Sequence, residues 1–335
     1  MAEVYTEPTP SAFGPRPTDP GTPVPLDGDG TTTLDGIAAA FSRENYVAGR
    51  AYWAEGGPVM AETLDASVRG LHGDIPVRYY YPTREAAAGR AAGEPATPGI
   101  VYAHGGGFVL GNLDTHDRIC RILAKRAGVP VVAVDYRLSP ETKYPSAVRE
   151  AAAVAAHLHE AGKAWGIDGD RLAFAGDSGG AHLGLAATLY LREERGGSGF
   201  VKCLLLFYGW FGLTDSSSMR LLGGAWDGLT EEDWQWYLGL YAEDPAELAR
   251  ARYANLFLND LTRDVPACYV AAAEFDPLRD DSATLAAILE QYGTPVRYEV
   301  FEGVIHAFLH YTKMLDEAND ALEHAATFYR QQLGL

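Results

Sequence analysis

Gly176-Asp177-Ser178-Gly179-Gly180 sets a serine among glycines, directly after an apolar run and directly before a helical pattern. On a sharp strand-to-helix turn the small neighbours leave the serine hydroxyl exposed, at a helix N-terminus that favours developing negative charge. Taken alone, the pentapeptide is an ordinary glycine-rich helix start. The hydroxyl is also a weak nucleophile until a base removes its proton and an acid orients that base. Asp276, in Glu274-Phe275-Asp276-Pro277-Leu278, and His306, in Gly303-Val304-Ile305-His306-Ala307-Phe308, each follow a later strand-like run, in the order Ser, Asp, His. Individually they read as a turn residue before proline and a loop histidine. Placed together beyond the carboxyl ends of strands, where open α/β sheets collect their reactive groups, they read as a triad.

A third component is His104-Gly105-Gly106-Gly107-Phe108. Three glycines after a buried strand cost conformational entropy, and they bring bare backbone N–H groups close to a ligand. With the N–H of Gly179, donors from Gly105, Gly106 and Gly107 form a candidate oxyanion hole, worth on the order of 10²–10³ in rate per donor. Competing readings are weaker. His306 and His310 share the spacing of a zinc pair, but Ala307 stands where H-E-x-x-H requires glutamate, so no metal is expected. His157 and His159 read as surface residues, and Asp280 and Asp281, rival acids, are placed before Ser282 at a helix start with a simple role toward the helix dipole.

Eight candidate strands must position these groups: Glu62 to Arg69, Ile75 to Tyr81, Gly99 to Ala103, Val129 to Asp135, Arg171 to Ala175, Val201 to Tyr208, Ala267 to Ala273 and Val296 to Phe301. The first two are joined too tightly for a crossover and pair antiparallel; helix-length inserts make the later ones parallel. Helices are predicted at Thr115 to Ala127, Ser146 to Ala161, Gly179 to Glu194, Ser282 to Tyr292 and Leu315 to Gln332, while the Ala/Gly-rich stretch from Glu85 to Gly99 reads as a loop. The sheet thus occupies 61–209 and 265–335, covered on both faces. The 210–264 insertion, rich in Trp and Tyr, is longer than a crossover needs and reads as a cap, joined by helical cap residues in 31–60. Seven of the 19 prolines fall between Pro8 and Pro25, so 1–30 is predicted to be an extended tail.

Together, these segments resemble the hormone-sensitive-lipase group of α/β-hydrolases: His104 to Phe108, Gly176 to Gly180, Tyr136-Arg137-Leu138-Ser139-Pro140-Glu141 and Asp276-Pro277-Leu278. Gly111-Asn112-Leu113-Asp114-Thr115-His116-Asp117-Arg118, the segment from Leu221 to Thr230 and His306-Ala307-Phe308-Leu309-His310-Tyr311 are similar to its bacterial acetyl esterase branch. The resemblance implies Ser178 as nucleophile, Asp276 as acid, His306 as base and the 105–107 glycines as oxyanion hole. One departure is Gly179, where the family usually has alanine. The implied activity is a serine carboxylesterase acting on acetyl to hexanoyl esters without a cofactor. An amidase or lactonase would use the same triad; a regulatory or binding protein on this scaffold is the other alternative.

Composition narrows the partners. Net charge is −18 and the pI near 4.8, a field that repels nucleic acid and anionic membrane surfaces. Hydrophobic residues make up 47% of the chain, enough for a full core, and no apolar run approaches the length of a membrane span. Cys120, Cys203 and Cys268, odd in number and widely spaced, read as reduced core thiols. A cytoplasmic protein is expected, with a small ester as its partner and a homodimer compatible with the sequence.

Overall fold

The computed structural model describes residues 34–92, 96–224 and 229–335. The proline-rich 1–30 segment and Trp226 lie outside the described residues. Eight strands form one sheet: β1 (Glu62–Gly70), β2 (Gly73–Tyr81), β3 (Thr97–Ala103), β4 (Val131–Val134), β5 (Ile167–Asp177), β6 (Val201–Phe207), β7 (Ala267–Phe275) and β8 (Val296–Ile305). Their spatial order is β1-β2-β4-β3-β5-β6-β7-β8. The β1–β2 hairpin closes tightly, with Gly70 facing Gly73. β2 meets β4 antiparallel, and from β4 to β8 every neighbour is parallel.

Ten α-helices accompany the sheet among the described residues: α1 (Leu34–Ala54), α2 (Arg84–Ala92), α3 (Asp117–Ala127), α4 (Ser146–Ala161), α5 (Gly179–Glu194), α6 (Ser217–Leu221), α7 (Glu231–Tyr241), α8 (Pro245–Leu248), α9 (Arg279–Gln291) and α10 (Asp316–Leu333). Both sheet faces are covered, which is why β4 and the Cys203–Phe207 part of β6 read as unbroken apolar runs rather than as alternation. α4, α5 and α9 supply the core on one face; α3 and α10 supply it on the other. Cys120, Cys203 and Cys268 are buried and unpaired.

The stretch after Glu85 corrects the loop expectation. Thr83 Oγ1 accepts a hydrogen bond from the Ala86 N–H at 3.1 Å, which starts α2, and alanine's high helix propensity carries it on despite Gly89 and a weak apolar stripe. α9 also begins three residues earlier than expected, placing Asp280 and Asp281 inside its first turn. The 210–264 segment contains α6, α7 and α8, and Leu229, Tyr237, Leu240, Tyr241 and Leu248 join the core shared with α4 and α5.

This topology does one thing for function. β3, β5, β7 and β8 are parallel, so their carboxyl ends lie on one edge, and the residues immediately after them are His104, Ser178, Asp276 and His306.

Candidate active site

Ser178 occupies the turn between β5 and α5 with φ 53° and ψ −120°, a strained backbone for a residue with a side chain. The turn is tight because its glycines are irreplaceable by contact: a Cβ on Gly180 would stand 2.0 Å from the Ala103 carbonyl oxygen, and one on Gly176 would meet the Gly180 backbone at 2.5 Å. The Ser178 N–H is anchored to the Phe207 carbonyl at 2.8 Å. Its hydroxyl lies 2.9 Å from His306 Nε2, and His306 Nδ1 lies 2.8 Å from Asp276 Oδ2. The second oxygen of Asp276, a fully buried residue, accepts from the Leu278 N–H at 2.8 Å, which fixes the carboxylate plane. Residues separated by 128 and 30 positions in sequence therefore make a continuous Ser–His–Asp relay.

The glycine loop divides its work. Gly105 is corrected as an oxyanion donor: its N–H is already bonded to Asp177 Oδ1 at 3.0 Å. Among the described residues the N–H groups of Gly106, Gly107 and Gly179 donate to no protein acceptor, and all three residues line the same narrow cavity as Ser178. Gly106 has φ 113° and Gly107 φ 58°, and a Cβ on Gly107 would strike the Tyr237 ring at 2.3 Å, so α7 rests directly on the loop. A Cβ on Gly179 would meet Phe108 Cε1 at only 3.3 Å and the Gly107 nitrogen at 3.5 Å. The alanine common at that position in the family would thus fit with a small shift, and this chain's glycine is not demanded by space.

Asp177 is the group that residue spacing did not reveal. It is almost fully buried and holds three elements: Oδ1 accepts from the Tyr102 hydroxyl at 2.7 Å and the Gly105 N–H at 3.0 Å, and lies 3.3 Å from His116 Nε2. Burial alone favours the neutral acid, but His116, His310 and the Tyr102 hydroxyl hold Asp177 well below the usual carboxylate range. His104 is pushed down to about 3 by burial, reinforced by His116, so its ring is neutral. The Tyr136 hydroxyl donates to the His104 carbonyl at 2.8 Å, and His104 stacks on the Tyr136 ring. Motif position offered the one available signal, an aspartate at the end of a buried strand.

Among the described residues one group has metal-ligand spacing: His116, Asp177 and His310, all buried, with candidate atoms within 4.8 Å of one another. Asp177 Oδ1 and His310 Nε2 are engaged with protein partners, whereas His116 Nε2, 3.3 Å from Asp177 Oδ1, makes no hydrogen bond among the described residues. His116 Nδ1 lies 2.9 Å from Thr115 Oγ1, His310 Nε2 lies 3.3 Å from the Tyr46 hydroxyl, and the Arg50 cation depresses the basicity of His310 beyond what burial does. A second cation would be repelled there. His306, the other half of the weighed zinc pair, has both ring nitrogens committed to Asp276 and Ser178.

The rival acids have other duties. Asp281 is fully buried, and its Oδ1 accepts from the N–H groups of Phe211, Gly212 and Leu213 at 2.7, 3.0 and 3.1 Å, clamping the start of the insertion to α9. Burial drives its carboxyl up to about 7, against those three hydrogen bonds and with help from the nearby Asp276 charge. Asp280 Oδ2 accepts from the Ser218 N–H at 2.8 Å at the start of α6. Their expected role toward the helix dipole therefore understates them; both are fasteners for the 210–264 segment.

The cavity beside Ser178 measures about 50 Å³ and is walled by Phe108, Trp210, Leu229, Trp234, Tyr237 and Leu278. At about 10–15 Å³ per water-sized occupant, roughly four heavy atoms fit. Tyr46 and Arg50 of α1 also line it, residues that spacing did not single out. The sole signal was the helical apolar pattern of that segment, which marked a surface to cover and not a site.

Comparison with known proteins agrees with the geometry. The family model described as alpha/beta hydrolase fold matches residues 100–310. An acetyl esterase of Salmonella schwarzengrund is 42% identical over 312 residues, covering 93% of this chain and 90% of that protein. One from Salmonella typhi is 42% identical over 311 residues, with the same coverage. Among solved structures, a hyperthermophilic esterase from Pyrobaculum calidifontis superposes with a TM-score of 0.81 at 32% identity, covering 88% of this chain and 94% of that one. A thermostable esterase from Pseudomonas putida gives 0.80 at 26% identity, covering 91% and 93%.

Proposed function

Because the chain belongs to the α/β-hydrolase family, in the acetyl esterase branch of the hormone-sensitive-lipase group, and is a carboxylic ester hydrolase, we propose that it cleaves short acyl esters through an acyl-enzyme on Ser178. The observation that carries this reading is the relay from Asp276 through His306 to Ser178, with hydrogen bonds of 2.8 and 2.9 Å, opening on a cavity of about 50 Å³.

In this mechanism the Ser178 hydroxyl passes its proton to His306 Nε2 as the oxygen attacks the ester carbonyl. Asp276 accepts the Nδ1–H of His306, fixes the tautomer and stabilises the imidazolium. N–H groups of Gly106, Gly107 and Gly179 are the free donors for the oxyanion, at the N-terminus of α5 where the helix dipole adds to them. The imidazolium then gives its proton to the leaving alcohol, and water, deprotonated by the same histidine, releases the acid.

Cavity size sets the acyl preference. Each methylene that enters an apolar pocket gains about 0.8 kcal/mol, and the gain stops when the pocket is full. Space for roughly four heavy atoms supports a maximum among acetyl to hexanoyl esters. The test is kcat/KM across a series of 4-nitrophenyl esters from acetyl to dodecanoyl, run beside amide and lactone analogues. A maximum at or below hexanoyl supports the reading. One at dodecanoyl, a rate jump when substrate passes into emulsion, or faster turnover of the amide or lactone overturns it. No helix among the described residues is long and apolar enough to cross a membrane.

A further inference from the structure

The catalytic cavity has a buried cation in its wall. Arg50, on α1, lines the same cavity as Ser178 and His306, and only 8% of its surface is exposed. Several other arginines among the described residues are held in ion pairs at or near the surface, such as Arg43 with Glu141, Arg78 with Asp65 and Arg263 with Asp260. Arg50 forms no ion pair among the described residues. Its Nη1 donates to the Tyr311 hydroxyl at 3.0 Å, and the guanidinium stands 5.0 Å from the Tyr46 ring centroid and 5.6 Å from that of Tyr311. Two phenols and two ring faces retain the charge without neutralising it.

An unneutralised guanidinium at this depth is costly unless something offsets its desolvation. Asp177 lines the same cavity but forms no ion pair with Arg50, and its Oδ1 is shared among Tyr102, Gly105 and His116. His310 and His116, the neighbouring rings, are not anions. The remaining face of Arg50 belongs to the cavity that the substrate enters.

We propose that Arg50 is a specificity-determining residue that pairs with a carboxylate carried by the substrate, so that the preferred esters are short and bear one negative charge besides the scissile bond. This rests on the esterase reading and names its substrate class. A carboxylate suits the planar donors of a guanidinium, and a single charge matches a single cation. A dianionic group would face Asp177 and the net charge of −18 with only one counter-charge. Because no acid among the described residues pairs with Arg50, the pairing is realised when substrate is bound.

The carboxylate can sit on either side of the ester, and two substrate pairs separate the cases. Monoethyl succinate against ethyl 4-oxopentanoate carries it on the acyl part; 3-acetoxypropanoate against 4-acetoxybutan-2-one carries it on the alcohol part. In each pair a methyl ketone replaces the carboxylate at nearly constant shape. The quantity read is the ratio of kcat/KM, charged over neutral, within one protein, so loss of folded enzyme cancels. A charge-assisted hydrogen bond is worth about 10- to 100-fold. In one of the pairs, the ratio is expected to fall at least about tenfold from wild type to Arg50→Gln and to recover in part in Arg50→Lys. Ratios that change less than about threefold in both pairs overturn the proposal. Failure of the esterase reading looks different: the neutral esters themselves would show no hydrolysis dependent on Ser178.

Discussion

Two aspartate–histidine pairs flank the same serine and have opposite characters. Asp276 faces His306 at 2.8 Å, spends its second oxygen on one backbone N–H, and leaves the imidazole free to reach the Ser178 hydroxyl. Asp177 lies 3.3 Å from His116, but its Oδ1 is shared with Tyr102 and Gly105, and the hydroxyl beyond that histidine, Thr115 Oγ1 at 2.9 Å from Nδ1, is buried and donates to the Asn112 carbonyl. The first pair is a relay and the second a fastener. What separates them is not the residue types but the number of fixed partners: a group that holds three elements together has no freedom to change charge during turnover.

The largest effect expected from this contrast is at Asp276. Asp276→Asn preserves shape and the bond from the Leu278 N–H but presents the wrong partner to His306, so kcat should fall by about 10⁴. Stopped-flow or pH-stat turnover measures the loss, with the melting temperature little changed. If this variant turned over normally while the Asp177 or Asp281 variants were dead, the relay and the fastener would have to be exchanged.

Asp177→Asn should cost less, about 10- to 100-fold in kcat/KM, because it loosens the loop that places Gly106 and Gly107 without touching the proton path. Its pH–rate profile should keep the wild-type midpoint. A shifted midpoint would mean that Asp177 acts on His306 electrostatically and is no mere fastener.

The smallest kinetic effect belongs to Asp281→Asn, and its signature is in stability. The folded carboxyl titrates near 7, above the usual value near 4 of an unfolded chain. Below pH 4 both states are protonated. Between 4 and 7 unfolding releases a proton that the native state retains, so stability falls as pH rises, by about 1.4 kcal/mol per pH unit, and levels off above 7. Asparagine lacks this penalty and still accepts from the three N–H groups. The melting temperature of Asp281→Asn minus that of wild type should therefore climb from pH 4 to 7 and then plateau in differential scanning calorimetry. A difference independent of pH would show that Asp281 is ionised throughout.

How far all this was legible in the sequence follows from how local each feature is. Ser178, Asp276 and His306 were readable because each follows within a few residues of a strand-like run, and parallel strands bring such ends together; that β5, β7 and β8 run on to Asp177, Phe275 and Ile305, directly before them, was not legible, because the apolar runs stop earlier. All eight strands were readable from such runs. The helix α2 was missed because its alanines carry propensity but little amphipathic stripe. The diversion of Gly105 was unreadable: whether an N–H is free depends on a side chain 72 residues away. Tyr46 reaches His310 across 264 residues, and nothing in the pattern of α1 distinguishes a helix covering a core from one that lines a cavity. Asp281 was read as a helix-start residue because its position on α9 is local, whereas its three N–H partners come from the beginning of the insertion.

The central claim, that Ser178 carries the acyl group, is tested most directly by trapping. Wild-type protein treated with a 4-nitrophenyl alkylphosphonate and digested should carry the phosphonyl group, one per chain, on the peptide containing Ser178, with activity lost in step. Ser178→Ala should take up no label and retain about 10⁻⁶ of the wild-type ester turnover. A label on another residue, or a folded Ser178→Ala protein that still hydrolyses esters at an appreciable rate, would contradict the mechanism.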